Sequence, residues 1–192
     1  TASIGMAKDK DGYFYIYGDF CPESYDTHEK VYGKYRKNSA DRDNIMLKQA
    51  HYDGKNTYII VARDAGADAK TVYEQISKKF LSEGFKFKPS GSGYNQNKLT
   101  KFEPFLCACQ AGLVRIVESS FPDARTLELF YQELEGFDPD PVTGRWRSGR
   151  KKKDDWLDAV AEAYIFLSKE KVYTVPKLAV LDNPTIKRNL DL

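Results

Sequence analysis

The stretch Lys151-Lys152-Lys153-Asp154-Asp155-Trp156-Leu157-Asp158-Ala159-Val160-Ala161 decides how the chain is read. A basic run breaks into an acidic cluster, and the cluster opens a helix. Asp154 is a good N-cap, and Asp155 in the first turn suits the positive end of the helix dipole. Asp155 and Asp158 are three apart, so one helix face carries both carboxylates. Ala159 and Ala163 keep that side slim, while Trp156, Val160 and Leu167 supply apolar bulk. Two carboxylates held close repel one another unless a cation lies between them, and hard divalent cations such as Mg²⁺ or Mn²⁺ choose oxygen ligands. The plainer reading is a capped helix whose acids only stabilise its start.

Upstream of this stretch, residues 137–150 form a Pro/Gly-rich loop carrying Arg145, Trp146, Arg147 and Arg150. Asp123 to Glu135 reads as an amphipathic helix with Leu127, Phe130, Tyr131 and Leu134 inward. A short strand is expected at 113–117. Before it, Asn97 is placed to cap a helix over 98–111 with Gly112 as its C′ residue, and Pro104 predicts a kink or a later start. Residues 57–62 are a continuous β-branched run, as in a strand buried on both faces. A helix over 69–82 follows, with Val72, Ile76, Phe80 and Leu81 inward, and then a strand at 85–87; together they predict a parallel pair joined by a crossover. Ser39 is expected to cap a helix over 40–52, ended by Asp53-Gly54. At the start, residues 2–7 and 13–20 flank Asp11-Gly12 and predict an antiparallel hairpin.

The totals set bounds. The 192 residues suit one domain, placed at 1–167, with a tail over 168–192 marked by Pro176 and Pro184. Lys and Arg number 30 against 28 Asp and Glu. Net charge therefore does not announce a nucleic-acid binder, and local clustering has to carry that argument. Cys21, Cys107 and Cys109 are odd in number and have no metal-ligand company, so they read as reduced thiols. His28 and His51 read as surface residues. No apolar run approaches the length of a membrane span, and no membrane partner is expected. No Gly-x-x-x-x-Gly-Lys-Ser/Thr loop occurs, so no ATPase activity is expected of this chain.

An antiparallel pair followed by alternating helices and strands means a mixed α/β fold, in which active groups gather at the carboxyl ends of strands. Asp64 follows the most apolar strand. It could meet Asp155 and Asp158 at one metal site, or it could simply cap the next helix. The order of elements, Asp64 after its strand, Asn97-Lys98-Leu99-Thr100-Lys101-Phe102-Glu103-Pro104 before Gly112-Leu113-Val114, and Asp-Asp-x-x-Asp-Ala at 154–159 together resemble the nuclease domain of tailed-phage large terminase subunits. That family is ribonuclease H-like, similar to RuvC-type resolvases.

The resemblance implies an endonuclease that cuts concatemeric phage DNA during packaging in the host cell cytoplasm. It would use two Mg²⁺ or Mn²⁺ ions held by Asp64, Asp155 and Asp158, with Asp154 able to exchange roles with Asp155. The family's first acid lies on a strand expected upstream of Thr1, and Asp19 is a poor substitute for it. Implied partners are double-stranded DNA, an ATPase domain of the same polypeptide, a portal protein and a small terminase subunit. DNA contacts are expected from Arg145, Arg147, Arg150, Lys151, Lys152 and Lys153, and from Lys98 and Lys101, since basic residues beside acids let a phosphate approach. The alternatives are a RuvC-like resolvase or other ribonuclease H-like nuclease, and a non-catalytic DNA-binding or assembly module of the same fold.

Overall fold

The computed structural model describes residues 2–18, 21–34, 38–61, 69–89, 98–137 and 154–169, and they form a mixed α/β arrangement. The hairpin is present: β1 (Gly5–Lys8) pairs antiparallel with β2 (Phe14–Tyr17), Met6 opposite Ile16. Its turn is held by Asp9. One carboxylate oxygen accepts the amides of Asp11 and Tyr13, each at 2.9 Å, and the other accepts the Tyr15 hydroxyl. Burial alone would raise the Asp9 pKa; these hydrogen bonds outweigh it and hold the group below the usual carboxylate value. The Tyr17 ring lies across β1 at Gly5, where an added Cβ would stand 1.9 Å from Tyr17 Cε2. Glycine is the residue that leaves the ring its place.

α1 (Ser39–Asp53) is capped by Asn38, not by Ser39 as expected. Asn38 has an extended backbone and its side chain accepts the Asp41 amide at 2.9 Å, whereas Ser39 is already helical. β3 (Tyr58–Val61) and β4 (Lys86–Pro89) pair in parallel across α2 (Ala69–Ser82), with Ile59 opposite Phe87. The expectation that β3 is buried on both faces is not met: all four of its residues are half-buried, because it has one strand neighbour among the described residues. The inner face of α2 is also narrower than expected. Ile76 and Phe80 are buried with Tyr73 beside them, while Val72 and Leu81 are exposed.

α3 (Lys98–Gln110) runs through Pro104 from Lys98 onward, so the helix does not start later. Gly112 follows with φ +68°. β5 (Val114–Ile116) then pairs in parallel with β2. Asp123 caps α4 (Ala124–Glu135), accepting the Thr126 amide at 2.7 Å. α5 (Asp155–Lys169) ends two residues beyond the expected Leu167; residues 170–192, most of the expected tail, lie outside the described residues.

Among the described residues the strands form two hydrogen-bonded sheets, β1-β2-β5 and β3-β4. α5 packs on both β1 and β3 and so spans the two. Its face of Trp156, Leu157, Val160, Ala161 and Phe166 centres the larger core, where Phe14, Ile16, Phe102, Phe105 and Phe130 meet it. A smaller cluster of Ala50, Ile76, Phe80, Phe85 and Phe87 fills the space among α1, α2 and β4. Among the described residues no helix is long and apolar enough to cross a membrane.

Candidate active site

The first turn of α5 is built from outside. The second and third amides of a helix normally go to the N-cap side chain. Here the amides of Trp156 and Leu157 donate to Glu133 Oε1 of α4, at 2.6 and 3.2 Å. Asp154 stands at the N-cap position, as expected, buried at the helix entry with its carbonyl accepting the Asp158 amide, but these two amides go to Glu133. Glu133 is in turn held by Lys34, whose ammonium donates to Oε2 at 2.7 Å and lies 4.1 Å from the centre of the Trp156 ring. Both side chains are nearly closed off, 6% and 4% exposed. Burying two charges is costly, and the full set of contacts offsets it: ion pair, two amide donors and an aromatic face.

Lys34 also forms an isolated bridge with Ala2, just ahead of β1. The acidic start of α5 is thus fixed to α4 and to the residues before β1. Neither Lys34 nor Glu133 stood out in the sequence, where each is one charge in a polar segment.

Asp155 is exposed at this turn, and Asp158 is half-buried one turn later. Lys101 of α3, expected to face DNA, is engaged inside the fold. Its Nζ stands 3.1 Å from Asp158 Oδ1 and 2.6 Å from Glu162 Oε1. Glu162 extends the acid stripe of α5 by one further turn, and sequence spacing alone could have included it, being four residues beyond Asp158. Asp64, Arg145, Arg147, Arg150, Lys151, Lys152 and Lys153 lie outside the described residues, as does the side chain of Lys98. Among the described residues no three acidic, histidine or cysteine side chains converge to hold a metal. His28 and His51 are exposed, as expected; His51 sets its ring edge-on against Phe85.

The course of β3 bears on Asp64. Tyr58, at the strand's start, meets Phe166 near the end of α5 in a tilted ring contact at 5.4 Å. Ile60, two residues on, still packs against the core that α5 centres. Tyr58 and Ile60 thus share the face of β3 that lies against this core.

The family model described as Terminase RNaseH-like domain matches residues 31–166. The chain belongs to this family. No curated protein and no solved structure matches it. The match takes in β3, every helix between it and α5, and α5 itself as far as residue 166. Membership makes the chain a terminase nuclease domain at family level, and the described α/β arrangement agrees with a ribonuclease H-like fold. It also associates this terminase domain, in general terms, with DNA and a phage packaging motor.

Proposed function

We propose that this terminase domain is a metal-dependent endodeoxyribonuclease that cuts concatemeric phage DNA during packaging, working beside an ATPase domain of the same polypeptide, a portal protein and a small terminase subunit in the host cytoplasm. The observation that carries the reading is the start of α5, where Asp155 and Asp158 stand on a helix turn locked by Glu133 and Lys34. A nuclease gains from acids that do not move when the substrate arrives, because preorganised charge needs no rearrangement during the reaction.

Asp64 follows the end of β3 by three residues, and β3 packs against α5, the helix that carries Asp155, which supports placing both acids in one site. The donor set suits the proposal: carboxylate oxygens are the ligands that Mg²⁺ and Mn²⁺ prefer, and the pairing of Asp158 with the Lys101 ammonium is consistent with a stripe that attracts cations. Bound through Asp64, Asp155 and Asp158, with Asp154 next to them, two such ions would supply an activated water and charge stabilisation for the leaving oxygen. The protein's own share is to hold those carboxylates at fixed spacing and to screen them from the incoming phosphate. Arg145, Arg147, Arg150, Lys151, Lys152 and Lys153, just ahead of the acids in the sequence, are proposed to do that screening, with Lys98 beside them.

The test is cleavage of linear duplex DNA in Mn²⁺. Asp64→Asn and Asp155→Asn should each lower the rate by roughly a hundredfold or more, with circular dichroism and melting unchanged, because a lost anionic ligand opens no cavity. Wild-type cleavage in the Asp155→Asn chain would remove α5 from the chemistry. A preference for four-way junctions over linear duplex would favour a resolvase instead.

A further inference from the structure

The acid face of α5 is one stripe, Asp155, Asp158 and Glu162, at spacings of three and four residues. α3 packs across it, and Lys101 reaches its lower half. The two contacts are unequal. Glu162 is the nearer partner, at 2.6 Å, and its side chain is 8% exposed; Asp158 is farther, at 3.1 Å, and 38% exposed. A carboxylate as deep as Glu162 requires a counter-charge, since an uncompensated buried ion is strongly destabilising. Asp158 opens to solvent and can exchange one cation for another at small cost. The Lys101 side chain, 15% exposed, lies between them as a cation already seated on the stripe.

We propose that Lys101 is a tethered counter-ion of the α5 acid stripe. It holds Asp158 when no divalent ion is bound, and it yields Asp158 while keeping Glu162 when one is. The inference deepens the reading of α5 as a metal-binding helix and rests on it. An ammonium and a divalent ion compete for the same carboxylate, so Lys101 sets how much free metal the stripe needs before it fills. In the metal-free protein the same ammonium relieves the repulsion between Asp158 and Glu162 that would otherwise loosen the helix. Lys101 is accordingly a positioning residue, acting through Asp158.

The experiment is calorimetric titration of Mn²⁺ into the whole chain, together with the shift in melting temperature that Mn²⁺ produces. Lys101→Met alone takes a close counter-charge from buried Glu162, so the informative variant is Lys101→Met with Glu162→Gln, which removes both charges together. Its Mn²⁺ affinity should rise roughly tenfold over wild type, with a larger Mn²⁺-induced rise in melting temperature, because the competitor is gone. Unchanged or weaker affinity in that variant overturns the proposal. Asp155→Asn, measured alongside, separates the two ideas. If it leaves affinity untouched while the double variant binds more tightly, the helix start loses its role and Lys101 keeps its own. If no chain binds Mn²⁺, both fall.

Discussion

Phe130 and Phe80 are both fully buried phenylalanines, but their surroundings differ. Phe130 stands against Phe121 at 5.3 Å and Trp156 at 6.0 Å, inside the core that α3, α4, α5 and the β1-β2-β5 sheet share. Phe80 meets Phe87 at 5.5 Å and Phe85 at 6.1 Å in a small cluster whose helix leaves Val72 and Leu81 in solvent. The acids of α5 belong to the first region and share its rigidity through Glu133 and Lys34. β3, the strand that leads toward Asp64, lines the second with Ile59 and Val61. β3 thus faces both clusters, Tyr58 and Ile60 toward the larger and Ile59 and Val61 toward the smaller, and the smaller one is expected to be the less stable of the two.

The largest expected effect breaks the first region. Lys34→Met leaves the Glu133 charge buried among apolar side chains and should cost about 3–5 kcal/mol in urea unfolding. A loss near zero would mean that Glu133 does not hold α5 as described.

A smaller difference separates the two clusters. Phe130→Ala should cost about 4 kcal/mol, since its rigid neighbours cannot close the cavity, and Phe80→Ala about 3 kcal/mol, since its looser neighbours can. Amide hydrogen exchange sharpens the contrast: Phe80→Ala should speed exchange in α1 and α2 and leave α4 and α5 protected. Equal acceleration throughout would show that the chain has one cooperative core and not two.

The smallest effect concerns alkaline pH. Burial pushes the Cys109 thiol from 9.0 up to about 12, and burial with the nearby Asp53 charge pushes the Tyr17 phenol from 10.0 up to about 12. Both groups stay neutral in the fold and ionise earlier in the unfolded chain. A raised folded pKa means stability that is fully present below the unfolded value and lost as pH rises toward the folded one. The melting temperature should hold to about pH 9 and then fall. At about pH 8 a thiol reagent should modify exposed Cys107 and spare Cys109; equal labelling of the two would contradict the burial of Cys109.

Much of this architecture was readable from local signals. Asp11-Gly12 announced the hairpin, Asp123 the start of α4, and the apolar spacing of 127, 130, 131 and 134 its inward face. Those features depend on neighbours in sequence. The errors fall where a distant residue supersedes a local one. Asp154 is a sound cap by its position, yet Glu133, on another helix, takes the amides. The 57–62 run has the composition of a central strand, but burial depends on how many strands flank it, which composition does not encode. Lys101 sits near Lys98 in a basic stretch, and only the packing of α3 on α5 turns it toward Asp158 and Glu162. The acids were legible because helix periodicity puts them on one face; their lysine and glutamate partners come from elsewhere in the chain.

The crossing of Tyr17 over Gly5 has a consequence for how this hairpin can change over time. A side chain at position 5 needs the space that the ring fills, and losing the ring uncovers a bare glycine in the strand. Neither position drifts freely on its own: the two act as a linked pair, in which a bulkier residue at 5 is tolerated only after the aromatic at 17 has shrunk or turned aside. The Tyr17 phenol, whose charged form burial disfavours, is thus also the group that restricts which substitutions β1 accepts.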